Sequence, residues 1–142
     1  MQIYTVPAGF LRANSYLCTE NGRDAVLIDC GGSEPLAFAE KKGLQIREVL
    51  LTHGHFDHIG GCADARAGGS RIGCSKKELP LVGSRANLAA DMGVRVRPFE
   101  IDFTFSDGDI LESCGMRFEV IETPGHTPGG VCFRTGNILF TG

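Results

Sequence analysis

The four histidines of the chain fall in only two short segments, and this placement is the first sign of chemistry. The segments are THGHFDH, which carries His53, His55 and His58, and TPGHTPGG, which carries His126. In an extended segment, side chains two positions apart point to the same side. We therefore expect His53 and His55 to direct their imidazoles towards one point.

Metal binding is the chemistry that these residue types favour. Imidazole nitrogens and carboxylate oxygens suit Zn²⁺ and also iron or manganese, and a carboxylate, Asp57, stands next to His58. A third imidazole for one ion would have to come from His126, whose loop is stiffened by prolines and turned by glycines. The sequence therefore predicts a metal site that contains His53, His55, Asp57, His58 and His126.

Asp29 and the cysteines allow more than one interpretation. Asp29 ends a predicted strand, where it either shapes the turn or orients a ligand histidine through its carboxylate. The six cysteines form no CxxC pair and lie in or beside apolar stretches, which favours buried, reduced thiols over disulfides or a thiolate metal site. Cys62 follows a glycine pair close to the histidines, and we expect it to pack rather than to react.

Length and charge limit the class of protein. With 142 residues and 42% hydrophobic content, the chain is expected to form one soluble domain over residues 1–142. Its 14 basic and 17 acidic residues lack the positive excess of nucleic-acid-binding proteins. No apolar run approaches the roughly 20 residues of a membrane span, and no signal peptide is recognisable at residues 1–10. A cytoplasmic protein with no membrane partner is expected.

Short elements separated by glycine pairs predict a mixed α/β sandwich. A turn at Asn21 and Gly22 is expected to join two of the strands in a hairpin. Predicted strands are 2–6, 15–19, 25–29, 46–51, 71–74, 102–105, 116–121, 131–134 and 138–141. Predicted helices are 36–42, capped by Ser33 and ended by Gly43, and 59–67, with weaker helical or loop segments at 76–82 and 84–92 and a turn at 106–109.

Taken together, the motifs resemble the metallo-β-lactamase superfamily and, within it, the hydroxyacylglutathione hydrolases (glyoxalase II). THGHFDHIGG matches the pattern THxHxDHxGG, and TPGHTPGG matches TPGHTxG. The strand ending at Asp29, SDGDILE at 106–112 and the terminal ILFTG follow in the family's order. The resemblance implies a four-layer αββα sandwich with mixed sheets. It also implies a first metal held by His53, His55 and His126 and a second held in part by Asp57 and His58.

The resemblance also carries an expectation about chain length. The family completes its second metal site with a bridging aspartate, directly after a motif that corresponds to Phe140, Thr141 and Gly142, and with a histidine on a later strand. The sequence is therefore expected to represent the first two thirds of such a domain, with the first metal's ligands complete. A sheet edge left uncovered would favour association with other chains.

The implied activity is hydrolysis of a small-molecule thioester or ester by a metal-bound hydroxide, with Asp57 orienting the hydroxide or accepting its proton. Two zinc ions are the expected cofactor, with iron or manganese as alternatives. A persulfide dioxygenase with a single iron is the main competing function. A third hypothesis is a fragment that binds one metal ion, or none, and catalyses nothing.

Overall fold

Two β-sheets, packed face to face, form the centre of the molecule. The computed structural model describes all residues from Met1 to Gly142. The first sheet has six strands in spatial order: β1 (Gln2–Ala8), β2 (Ala13–Thr19), β3 (Asp24–Ile28), β4 (Gln45–Leu50), β5 (Arg71–Ser75) and β6 (Phe103–Phe105). The second sheet has the order β10-β9-β8-β7, with β7 (Ile110–Ser113), β8 (Met116–Glu122), β9 (Val131–Thr135) and β10 (Ile138–Phe140).

The first sheet is mixed, as the sequence predicted. Strands β1, β2 and β3 are antiparallel neighbours, and β3 to β6 are parallel. The predicted hairpin turn between β2 and β3 is confirmed. Gly22 adopts φ +69°, and Asn21 Oδ1 accepts hydrogen bonds from the backbone N–H groups of Arg23 and Asp24. This local bonding is what makes asparagine and glycine suited to tight turns.

Four short helices complete the fold: α1 (Glu34–Lys42), α2 (Phe56–Ile59), α3 (Cys62–Ala67) and α4 (Leu79–Val82). Helix α1 ends at Gly43 in the left-handed conformation, as predicted, but the expected cap is wrong because the Ser33 side chain makes no capping hydrogen bond. Helices α1, α2 and α3 contact strands of the first sheet, which gives a layer order of helix, sheet, sheet. None of the four is long and apolar enough to cross a bilayer.

The predicted single helix 59–67 is wrong, because the chain is divided into α2 and α3 at a glycine pair. A Cβ atom on Gly60 would lie 2.5 Å from the backbone oxygen of Gly31, and one on Gly61 would lie 2.1 Å from that of Gly32. The backbone after β3 thus passes directly against the glycine pair, and Gly61 N–H bonds the Cys30 carbonyl at 2.8 Å. This tertiary contact replaces the hydrogen bonds of a continuous helix.

Other predicted elements differ in smaller ways. Strand β7 was not predicted as a strand, because Ile110–Ser113 is short and lies at the sheet edge with Ile110 exposed. Residues 84–92 form only one turn of 3-10 helix, Arg85–Asn87. All six cysteines are free thiols, and only Cys114 is not buried. Cys62 packs in the core as predicted.

Two apolar cores lie on the two faces of the first sheet. One fills the space between this sheet and its helices, and the other fills the space between the sheets. Alternation along β3 supplies both, since Leu27 faces the first core while Val26 and Ile28 face the second. Strand β4 also reaches both cores at its carboxyl end, through Val49 and Leu50. The carboxyl end of β4 is therefore held by both cores, and the histidine-bearing residues follow directly after it.

Candidate metal centre

The predicted site residues come from two segments at one edge of the sandwich. The strand-end segment, residues 52–58, follows β4 and runs into α2, so that Asp57 and His58 lie in the first turn of that helix. The hairpin loop, residues 123–130, joins β8 to β9 and carries His126. The segments meet where the Val131 N–H bonds the Thr52 carbonyl at 2.9 Å. All four histidines are therefore brought to one place.

Three imidazoles converge closely enough to share an ion. The ligand nitrogens of His53, His55 and His126 all lie within 4.8 Å of one another. His55 Nδ1 and His126 Nε2 are 3.0 Å apart. Two nitrogens bound to one tetrahedral ion, each at about 2.0–2.1 Å, would be about 3.3 Å apart. The observed spacing thus needs only small adjustment to accept a metal.

A hydrogen-bonded chain leaves His53 with a free lone pair. The Thr52 hydroxyl donates to Asp29 Oδ2 at 2.7 Å, so its oxygen is left to accept the Nδ1–H of His53 at 3.1 Å. This assigns the tautomer of His53 and leaves Nε2 unprotonated. His53 Nε2 is buried and has no hydrogen-bond partner. A buried, unpaired acceptor beside two other imidazoles fits a bound metal ion.

Asp57 and His58 lie directly beside this triad. His58 Nδ1 is 2.7 Å from Asp29 Oδ2, and His58 Nε2 is 3.5 Å from Asp57 Oδ2. The His53 and His58 rings are 4.1 Å apart between centroids. Asp29 therefore orients His58 through Nδ1, and the Nε2 side of the His58 ring faces the Asp57 carboxylate.

Both sequence interpretations of Asp29 describe its geometry. It leaves β3 with φ +58°, a left-handed conformation that aspartate tolerates better than most residues. Its buried carboxylate also accepts the backbone N–H of Thr52 at 2.8 Å, in addition to the bonds from the Thr52 hydroxyl and His58. One side chain thus fixes the turn after β3 and two neighbouring parts of the strand-end segment.

Burial and charge separate the histidine pKa values. Burial, with the nearby His58, lowers the pKa of His53 to about 4. Burial and the facing His126 lower the pKa of His55. Burial alone would lower the pKa of His58, but its hydrogen bond to Asp29 and the charges of Asp29 and Asp57 raise it overall. His53 is consequently neutral at pH 7, which is the form that binds metals.

Two residues of the site's surroundings were missed by sequence reasoning. Thr52 directly precedes His53 in the THGHFDH motif, but its hydrogen bond to Asp29 could not be predicted from the sequence. Glu78 gave no signal, because its partners Gly54 and Gly129 are 24 and 51 residues away in the chain.

Comparison with known proteins agrees with this geometry. The sequence profile of the metallo-beta-lactamase superfamily matches residues 8–142. The chain is 31% identical over 156 residues to the hydroxyacylglutathione hydrolase GloC of Haemophilus influenzae, covering all of this chain and 74% of that protein. It is 32% identical over 143 residues to the hydroxyacylglutathione hydrolase of Vibrio cholerae, of which it covers 50%. Several of the curated relatives are thus matched over about half their length.

Solved structures show the same fold. The BLEG-1 B3 metallo-beta-lactamase superposes with a TM-score of 0.86 at 26% identity, over 94% of this chain and 67% of that one. TTHA1623 in a di-iron-bound form superposes with a TM-score of 0.78 at 32% identity, over 92% and 66%. The profile match, the sequence relatives and the shared fold lead to one conclusion: this chain belongs to the metallo-beta-lactamase superfamily.

Proposed function

We propose that the protein is a metal-dependent hydrolase of thioesters, of the hydroxyacylglutathione hydrolase (glyoxalase II) type. The observation that carries the proposal is the convergence of three imidazoles around the buried, unpaired Nε2 of His53. The names of the sequence relatives support the substrate class, since they act on hydroxyacyl thioesters of glutathione.

His53, His55 and His126 would hold one metal ion, and Asp57 with His58 would contribute to a second. Such ions act as Lewis acids, polarising a carbonyl group and lowering the pKa of a bound water to about 7. Zinc is the proposed metal, and iron or manganese suits the same nitrogen and carboxylate ligands. The di-iron form of one structural neighbour supports keeping iron as a candidate.

The protein's own groups would position the substrate and the attacking water. A cavity of about 290 Å³ opens between the strand-end segment and the hairpin loop, lined by His53, His58, His126 and Thr127 among others. This volume suits a small acyl group. Asp57 lies next to the lining residue His58, with 18% of its side chain exposed. Its carboxylate would act as the general base that accepts a proton from the attacking water.

No nucleophilic side chain is needed in this scheme. Burial raises the pKa of the nearby Cys62 thiol well above its ordinary value, which leaves it protonated and unreactive at neutral pH. The thiolate released from a thioester is a good leaving group, so a general acid is dispensable. The six unpaired cysteines of the protein also suit a reducing compartment, and the cytoplasm is the proposed location.

The direct test is hydrolysis of a hydroxyacyl-glutathione thioester by the purified chain loaded separately with zinc, iron or manganese. We expect metal-dependent release of thiol that is absent after chelation and absent in His53→Ala. A β-lactam assayed in parallel separates the proposal from the lactamase activity of the structural neighbours. Persulfide-dependent oxygen consumption with one iron per chain, and no thiol release, would replace the hydrolase proposal with the dioxygenase alternative.

A further inference from the structure

Glu78 is a fully buried charged residue outside the predicted site. It closes the short 3-10 turn Lys76–Glu78 that follows β5, and none of its side chain is exposed. Its carboxylate accepts two backbone hydrogen bonds, from Gly54 N–H to Oε2 at 2.8 Å and from Gly129 N–H to Oε1 at 2.7 Å. Both partners belong to histidine-bearing segments.

These two bonds link the strand-end segment to the hairpin loop. Gly54 lies between His53 and His55, and Gly129 lies three residues after His126. The two oxygens of one rigid carboxylate therefore fix the separation of two backbones that approach from different sheets. This link lies on the same two segments that bring His55 Nδ1 to 3.0 Å from His126 Nε2.

Close packing requires glycine at the Gly129 end of the link and favours it at the Gly54 end. A Cβ atom on Gly129 would lie 2.6 Å from Lys77 Cβ and 2.7 Å from the Glu78 backbone nitrogen. A Cβ atom on Gly54 would lie 2.8 Å from Val82 Cγ2. At Gly129 two of the close atoms belong to the main chain of Lys77 and Glu78, so a larger residue would push the hairpin loop away from them. At Gly54 the close atoms are side-chain methyl groups of Leu81 and Val82, which pack tightly against the glycine.

The carboxylate is an unusual choice for this position. An apolar side chain would fill the same space without the cost of removing a charge from water. What the carboxylate adds is a pair of charge-assisted hydrogen bonds, which are shorter and about twice as strong as neutral ones. Without them, two buried N–H donors in ligand-bearing segments would be unsatisfied.

We infer that Glu78 is a positioning residue that holds the His53–His55 backbone and the His126 loop at the spacing required for a shared metal ion. The inference rests on the proposed metal-dependent function for its consequence, since the spacing acts through the histidines. The link itself is a property of the metal-free protein and can be tested without any metal.

The first test is the zinc affinity of Glu78→Gln, measured by competition with a chromophoric chelator. Glutamine keeps the size of the side chain but has a single acceptor oxygen, so one of the two backbone N–H donors would face its NH₂ group, which cannot accept a hydrogen bond. We expect zinc affinity to fall 10- to 100-fold, the usual cost of losing a group that orients metal ligands, with an unchanged circular dichroism spectrum. Zinc affinity equal to that of the wild type would overturn the inference.

Leu44→Ala supplies the control. Leu44 lies in the core between the first sheet and its helices, so truncating it lowers the free energy of unfolding without touching either histidine segment. We expect its zinc affinity to match that of the wild type. A loss of affinity as large as that of Glu78→Gln would show that general destabilisation, and not the link, controls binding.

A second measurement uses the metal-free wild type and does not depend on the variant folding. The link predicts that the amides of Gly54 and Gly129 exchange with solvent as slowly as strand amides, although both lie outside helices and strands. In Glu78→Gln at least one of them should exchange much faster. Fast exchange of either glycine in the wild type would overturn the inference. A wild type that binds no zinc but protects both glycines would instead contradict the proposed function and leave the link established.

Discussion

The strand-end segment and the hairpin loop hold their histidines in different ways. In the strand-end segment all three histidines are buried, and Asp29 and Thr52 fix two of them by hydrogen bonds. In the hairpin loop His126 is exposed, and its ring bonds only His55. The three histidines of the strand-end segment are thus positioned at the end of β4. His126 instead lies in a turn that Glu78 holds at Gly129.

This difference suggests that the two segments depend to different extents on the bound metal ion. The strand-end segment is restrained before any metal arrives, because the buried Asp29 and Thr52 side chains hydrogen-bond His58 and His53, although His53 Nε2 itself is unpaired. The hairpin loop bears a single histidine and depends on Glu78, on the neighbouring strands and on the ion itself.

The largest effect is expected from removing a ligand in either segment. His53→Ala and His126→Ala should each abolish tight zinc binding, because a three-imidazole set loses one donor in both cases. Zinc content after gel filtration, measured by elemental analysis, checks this, and circular dichroism shows whether each variant is folded. Unchanged zinc content in either variant would refute the assigned ligand set.

The ligand residue types could be predicted from the sequence because they lie within short motifs. His53, His55, Asp57 and His58 occupy one seven-residue stretch, and the strand before them could be predicted from its apolar run. The six strands of the first sheet, and the hairpin between β2 and β3, could be predicted from apolar runs and from turn and glycine signals. These are local patterns, and local patterns are what a sequence displays directly.

The surroundings of the ligands could not be predicted, because they depend on contacts between distant parts of the chain. Glu78 follows β5, whereas its partners Gly54 and Gly129 lie after β4 and before β9, far from it in sequence. The break between α2 and α3 arises from the backbone of residues 30–32, which packs against Gly60 and Gly61. In both cases a tertiary contact decides the local structure, and helix propensity alone carries no information about it.

The next largest effect concerns the stability of the metal-free strand-end segment. Asp29→Ala removes a carboxylate that accepts three hydrogen bonds and places alanine at φ +58°. We expect the free energy of unfolding to fall by about 3 kcal/mol, as for a broken buried pair. Asp29→Asn, which tolerates the same backbone, should cost less. Urea denaturation of the metal-free proteins measures both values.

A substitution in the hairpin loop, Thr123→Val, should have almost no effect on the free energy of unfolding. Thr123 is exposed, and its hydroxyl makes only long contacts, at 3.5 Å with the Gly130 carbonyl and at 3.6 Å with Cys132 Sγ. Thr123→Val should therefore change the free energy of unfolding by less than about 0.5 kcal/mol, as is usual for surface substitutions. Equal losses from Thr123→Val and Asp29→Asn would contradict the proposed difference between the segments.

A smaller effect on metal affinity is expected from Thr52. Thr52→Val removes the hydroxyl that connects Asp29 to His53, so the ring is free to rotate and to change tautomer. Zinc affinity should fall about 10-fold, at the lower end for groups that orient a ligand. Thr52→Ser keeps the hydroxyl and should bind zinc like the wild type. Equal affinities of the valine and serine variants would show that the backbone alone orients His53.

The most direct comparison of the two segments is the change in amide exchange on adding zinc to the wild-type protein. A ligand slows exchange most where the free protein opens most easily. The amides around His126 should therefore gain several-fold more protection than those around His53, because the buried hydrogen bonds of Thr52 and Asp29 already restrain the latter. Hydrogen exchange followed by mass spectrometry resolves the two segments as separate peptides. The opposite order would mean that the strand-end segment, despite its buried hydrogen bonds, is the part that the metal organises.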